Sequence, residues 1–177
     1  MAVLLTGFVR SHQRQPDLIT EANNLYNSEK YEKALDLYRE AVKIGESKKI
    51  NYNLASTYYK LEQYKEAVSY FEKTDNTPEK YLNMGNSYKF IADNSEDINN
   101  KIEQYQTALS NYKEGIKLAF DDKRLKFNYE YVKKILDNLK QNQQNNNEKK
   151  QKQDQNQNQN DGNQQDKQDD QRQQNNE

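Results

Sequence analysis

The sequence predicts an all-α fold: three antiparallel helix pairs stacked in a row, a capping helix, and a disordered Gln/Asn-rich tail. Three observations predict it. The chain repeats itself: Ala34 and Ala67 lie 33 residues apart, each preceded by a tyrosine (Tyr31, Tyr64) and followed four residues later by an aromatic ring (Tyr38, Phe71). Apolar residues recur at three- and four-residue spacing, as in Ile98, Ile102, Tyr105, Leu109, Tyr112, Ile116 and Ala119, which is the stripe of a half-buried helix. Strand-like alternation of useful length is missing from the sequence.

The elements follow in chain order. Residues 1–16 are expected to be a flexible terminus. The apolar run Ala2–Leu5 is too short to span a bilayer and lacks the basic start of a secretory signal. Leu5-Thr6-Gly7 resembles the end of a bacterial lipoprotein signal, but Phe8 stands where the lipidated cysteine must be. A trimmed signal or anchor remnant is the alternative reading of this segment. Helices are expected near 17–28 and 30–45, 48–61 and 64–74, and 78–92 and 97–119, giving repeats of about 17–46, 48–76 and 78–120. In front of the third repeat, Thr77 reads as an N-cap and Pro78 as the first helical residue. Small residues (Ala22, Ala55, Gly85) sit where the two helices of a pair must cross closely. The third copy begins at Tyr81, with Met84-Gly85 matching Leu54-Ala55. Its second half, around Ala108 and Tyr112, comes about 11 residues late, or roughly three helical turns. The insertion therefore lengthens helices without rotating their buried faces.

A last helix, 123–140, carries Leu125, Tyr129, Val132, Ile135, Leu136 and Leu139 on one face. It is expected to cap the open end of the stack. From Gln141 to Glu177, 24 of 37 residues are Gln or Asn and none is apolar. That segment cannot offset an ordering cost of ~1–2 kcal/mol per residue, and disorder is expected.

The pattern small-x-x-Tyr followed by Ala-x-x-x-aromatic, at a period near 34, resembles the tetratricopeptide repeat (TPR) family. The resemblance covers Asp17 to Phe120. It implies an α-solenoid whose first helices line a concave face that holds a peptide or helix of another protein. Tyr31, Tyr38, Tyr58, Tyr64, Phe71, Tyr88 and Tyr112 then fall in the core. The groove is expected to be lined by Ile19, Asn23 and Tyr26 from the first repeat, and by Tyr52, Asn53, Ser56 and Tyr59 from the second. Leu82, Asn86 and Lys89 follow from the third, and Phe127 and Tyr131 from the capping helix. Relatives that grip acidic chaperone tails use two asparagines and several basic residues. Asn23 and Asn53 match the asparagines, but Ile19, Glu79 and Asn83 occupy the basic positions, so such tails are not the expected ligand.

The close of the folded part, Phe127-Asn128-Tyr129-Glu130 followed by the Gln-rich run, resembles TPR proteins of bacterial Bat-type (aerotolerance) clusters. That resemblance implies a scaffold beside a von Willebrand A-type membrane protein, cytoplasmic or membrane-associated at the cell envelope. Self-association through the convex face or the tail is the alternative.

Other classes find little support. Basic and acidic residues number 27 and 28 and are well mixed, without the basic stripe of a nucleic-acid binder. The chain has no cysteine and one histidine, His12. Neither a nucleophile with its base nor a phosphate loop is visible. No catalytic residue, metal, cofactor or small-molecule substrate is expected.

Overall fold

The computed structural model describes residues 2–146, with side chains from Arg14 onward. Seven helices and no strand occupy the described residues. They are α1 (Ala2–Asn27), α2 (Tyr31–Ile44), α3 (Lys48–Lys60), α4 (Tyr64–Phe71), α5 (Pro78–Asp93), α6 (Ile98–Leu118) and α7 (residues 123–146). The chain falls into two units, Met1–Leu136 and Asp137–Glu177. The second is helical over 137–146, so the expected disorder from 141 does not hold for its first six residues; the rest of the expected tail lies outside the described residues. Within the first unit, α1–α2, α3–α4 and α5–α6 form three pairs, each packed on the next.

The first helix departs from expectation. It begins at Ala2 and runs through Pro16, so residues 2–16 are helical rather than a loose terminus. Proline removes one backbone donor inside a helix. Contacts to α2 are made by Arg14 and Gln15 at the end of this stretch. The Gln15 amide donates to the carbonyls of Ala41 (2.8 Å) and Gly45 (2.5 Å), satisfying groups that the end of α2 leaves open. Arg14 pairs with Glu40 at 3.1 Å.

Local chemistry sets the other ends. Thr77 Oγ1 accepts from Lys80 N (3.1 Å) with Pro78 at the first helical position. Ser47 caps α3 and Asp97 caps α6 in the same way. The turns closing α1 and α3 are equivalent: Glu29 and Glu62 both adopt φ 59°. Lys30 N and Gln63 N each reach back 2.9 Å to the carbonyls of Leu25 and Tyr58, the wrapped ending that a left-handed residue permits.

Burial follows the repeat. Ala22, Ala34, Leu54, Ala55, Ala67 and Phe71 are fully buried, and Tyr38 and Tyr58 nearly so. Each large side chain so buried contributes about 1.5–3 kcal/mol. The small residues stand at the crossings. A Cβ added at Gly85 would lie 2.6 Å from Tyr112 Cδ1, and one at Gly115 would lie 2.7 Å from Leu125 Cδ2. Glycine at these two points lets the α6 ring and the α7 leucine seat. Tyr31, Tyr64 and Tyr88, expected in the core, are only half-buried. Tyr31 and Tyr64 open α2 and α4 at the edge of the stack, where they meet Tyr26 and Tyr59 edge-on at 5.3 and 5.6 Å.

The late second half of the third repeat is divided between its helices. Relative to the second repeat, α5 continues three residues further past its small residue, α6 starts seven residues earlier, and the turn gains one. The α5 extension ends at Asp93, whose Oδ1 accepts from the hydroxyl of Tyr105 at 2.5 Å, a ring buried at 4 % exposure.

Lys80 stands where Ile50 stands one repeat earlier, and it too is buried. Its ammonium donates to Thr74 O (3.2 Å) and Asn76 Oδ1 (3.1 Å). It thereby closes the chain leaving α4, where the helix dipole favours a cation. Burial pulls its pKa below the usual lysine value.

Candidate functional site

The first helix of each pair leaves a row of half-exposed side chains uncovered. Between α1, α3 and α5 they form a cleft of about 540 Å³, lined by Asn23, Tyr26, Asn27, Tyr38, Tyr52, Asn53, Ser56, Tyr59, Lys60 and Asn83. A smaller cleft, about 220 Å³, lies between α5 and α7 and is lined by Tyr59, Asn86, Lys89, Phe90, Phe127, Asn128, Tyr131 and Val132. Tyr59 borders both, so the two make one groove.

The groove is organised by two matching hydrogen-bond triads. Asn23 Oδ1 accepts from the Tyr38 hydroxyl (2.5 Å) and from Asn53 Nδ2 (3.1 Å). Two repeats later, Asn86 Oδ1 accepts from the Tyr112 hydroxyl (2.8 Å) and from Asn128 Nδ2 (2.8 Å). Each triad joins the two helices of one pair to the first helix of the next. The middle repeat carries Ser56 and Phe71 at the corresponding positions, and the amide of Asn83 on α5 donates instead to the Tyr52 hydroxyl at 3.5 Å. In each triad the asparagine oxygen thus takes two donors, and Asn86 also hydrogen-bonds Tyr59.

Ring packing fixes the aromatic surface. Tyr59 meets Phe90 edge-on at 6.2 Å, Tyr64 stacks on Phe90 at 4.8 Å, and Tyr52 meets Phe71 edge-on at 5.7 Å. Phe127 and Tyr131 stack at 6.2 Å and stand 70 % and 50 % exposed. Lys89 lies 4.6 Å from the Phe90 ring centre and pairs with Asp93 at 2.6 Å. Burial raises the pKa of Tyr26, Tyr52 and Tyr59 and pushes Tyr38 up to about 12. These phenols are therefore protonated donors at neutral pH.

Ten of the twelve residues expected to line the groove border one of the two clefts. Leu82 does not: it is buried in the stack. Ile19 packs against the core cluster. Both lie on the expected stripe, but that stripe is wide enough to be shared between the groove and the core. Asn83, Asn128 and Lys60 also border the groove; Asn53 and Asn83 each stand two residues before the small residue of their repeat, Ala55 and Gly85. Tyr38 and Tyr112 combine a buried ring with a hydroxyl committed to the groove asparagines. Glu79, at an expected basic position of the chaperone-tail grip, pairs with Arg124 at 3.4 Å.

Among the described residues, no cluster of three or more His, Cys, Asp or Glu side chains could hold a metal ion, and no helix is long and apolar enough to cross a membrane.

The family model described as anaphase-promoting complex, cyclosome, subunit 3 matches residues 4–74, starting inside the segment that proved helical. No curated protein matches the chain. Solved structures do. A thermophilic TPR protein of Thermus thermophilus matches at TM-score 0.59 and 21 % identity, over 69 % of this chain and 66 % of that one. The chain thus spans just under two thirds of that protein's length. The Sgt2 TPR domain of Aspergillus fumigatus matches at TM-score 0.58 and 21 % identity, over 72 % and 82 %. The second TPR domain of human RPAP3, solved with the HSP70 peptide SGPTIEEVD, matches at TM-score 0.58 and 17 % identity, over 70 % and 98 %. Nothing in these comparisons supports the Bat-type resemblance or a von Willebrand A-type partner. The repeated sequence pattern, the three stacked helix pairs and these likenesses together show that the chain has the tetratricopeptide-repeat fold.

Proposed function

We propose that the chain is a non-catalytic scaffold that holds a peptide or helix of a partner protein in the groove along α1, α3, α5 and the first turns of α7. One observation carries this reading: the groove keeps tyrosine faces and asparagine amides uncovered along its length. Tyrosine gives large contact area at low entropy cost, and fixed amides give orientation. The human RPAP3 domain, bound to a peptide, supports the same use of the same fold. The Bat-type reading, with its membrane partner, rests only on the Phe127–Glu130 motif and the composition after it, and stands behind the groove reading.

A three-repeat groove offers a modest interface, and micromolar affinity is expected. The test is photo-crosslinking or pull-down from the native host with the intact chain and with Tyr52→Ala/Tyr59→Ala. The variant should keep its helical circular dichroism and lose its partners. Undiminished recovery by a folded variant would remove the groove from the function.

A further inference from the structure

Resting on that groove reading, we propose that the occupant is residues 154–161 of a second copy of the chain, laid along α3 with an acid against a lysine at each end. The first argument is a ridge on α3. Lys49, Asn53, Ser56 and Lys60 follow one another at spacings of four, three and four, so they stand in line on one helix face. Asn53, Ser56 and Lys60 border the larger cleft, and Lys49 borders an adjoining cleft of about 420 Å³ that shares Tyr52 and Asn53 with it. The ridge is therefore cationic at both ends and neutral between.

The second argument is charge. The other charged side chains lining these clefts are engaged: Lys48 pairs with Asp75, Glu79 with Arg124 at 3.4 Å, and Lys89 with Asp93 at 2.6 Å. Among the described lining residues, Lys49 and Lys60 are the charges outside any ion pair. Eleven residues of helix set them ~16 Å apart. Two exposed ion pairs add little affinity, but at a fixed spacing they set register and exclude the wrong segment.

The third argument is the chemistry between the lysines. Asn23, Asn27, Asn53, Ser56, Asn83 and the cleft tyrosines offer donors and acceptors together and no charge. An apolar helix would bury these groups unmatched. A carboxamide side chain carries both an acceptor and donors, and so meets either kind. The sequence holds one run that combines both requirements: Asp154 and Asp161 with six amides, 155–160, between them. No other run of Gln and Asn in the chain has an acid at each end. Extended, the two acids stand ~23 Å apart, and lysine stems splaying from the ends of the ridge cover the difference. One chain thus carries the ridge and its complement, and reciprocal exchange between two copies closes as a dimer.

The test is sedimentation of the full chain from about 10 to 500 µM at low salt, where a dimer with Kd on the order of 100 µM is expected. Lys49→Gln/Lys60→Gln and Asp154→Asn/Asp161→Asn, checked for folding by circular dichroism, should each weaken it at least about tenfold. The charge-reversed chain, Lys49→Glu/Lys60→Glu with Asp154→Lys/Asp161→Lys, should recover it. Asp166→Asn/Asp169→Asn, the same loss of charge outside the run, should leave it unchanged. A dimer indifferent to either pair, equally weakened by Asp166→Asn/Asp169→Asn, or not recovered by reversal would overturn the proposal. So would a chain that stays monomeric throughout. If that monomer still loses its partners in the capture experiment above with Tyr52→Ala/Tyr59→Ala, the groove stands and belongs to another protein.

Discussion

The outer junctions of the stack and the middle one solve the same packing problem in different ways. Between the first and second repeats, and between the third repeat and α7, a tyrosine hydroxyl and a neighbouring amide converge on one asparagine oxygen. Between the second and third repeats, Phe71 is buried as completely as Tyr112, and Ser56, which hydrogen-bonds Tyr52, stands at the repeat position of Asn23 and Asn86. A ring is thus sufficient to hold a junction. The hydroxyl adds orientation of a surface amide, and adds it only at the two ends of the groove.

The largest expected effect treats the junctions alike. Phe71→Ala and Tyr112→Ala should each cost about 3–5 kcal/mol in urea unfolding, the range for emptying a large buried ring site. A much smaller loss at Tyr112 would mean that the long α6 leaves slack that Phe71 lacks.

A second experiment separates them by pH. Burial holds the Tyr38 proton to about 12 and raises Tyr112 further, burial again the leading cause, whereas an unfolded tyrosine titrates near 10. The unfolded chain then ionises first, so the contribution of these tyrosines to stability is constant below pH ~10 and falls above it. The loss is about 1.4 kcal/mol per pH unit for each such tyrosine. Phe71 contributes nothing to this slope. Tyr38→Phe/Tyr112→Phe should shift alkaline unfolding to higher pH, with tyrosinate absorbance and circular dichroism as readouts. An unchanged midpoint would mean that these hydroxyls titrate as freely as in the unfolded chain.

The smallest effect concerns the hydroxyl itself. Tyr112→Phe at neutral pH should cost about 0.5–1.5 kcal/mol. The converse can be built: Ser56→Asn with Phe71→Tyr supplies a third triad with Asn83. A double-mutant cycle should give a favourable coupling of about 0.5–1 kcal/mol. Zero coupling would show that the middle junction lacks the geometry of the outer two.

Much of this was legible beforehand. The 33-residue spacing from Ala34 to Ala67 located the pairs, Thr77-Pro78 located a helix start, and Ala22, Ala55 and Gly85 located the crossings, because each reports a local steric need. The helix before Pro16 was not legible. Its support comes from Gln15 reaching Ala41 and Gly45, contacts distant in sequence that no local pattern encodes. Leu82 was misassigned to the groove because periodicity gives a stripe and not its width. Lys80 also escaped: its burial depends on the carbonyls leaving α4, which become its partners only after the chain has turned. Asn23 and Asn53 were visible as candidates, but that Tyr38 ties up the first of them required the folded pair.

Glu29 and Glu62 remain. Each holds a left-handed backbone at φ 59°, a conformation that costs an ordinary L-residue roughly 1 kcal/mol and a residue without a Cβ almost nothing. Neither glutamate lines the clefts, although each turn bonds back to a groove tyrosine, Glu29 N to Tyr26 O (3.0 Å) and Glu62 N to Tyr59 O (3.1 Å). They are the places where the protein's melting temperature can be raised by redesign while its recognition surface is left untouched.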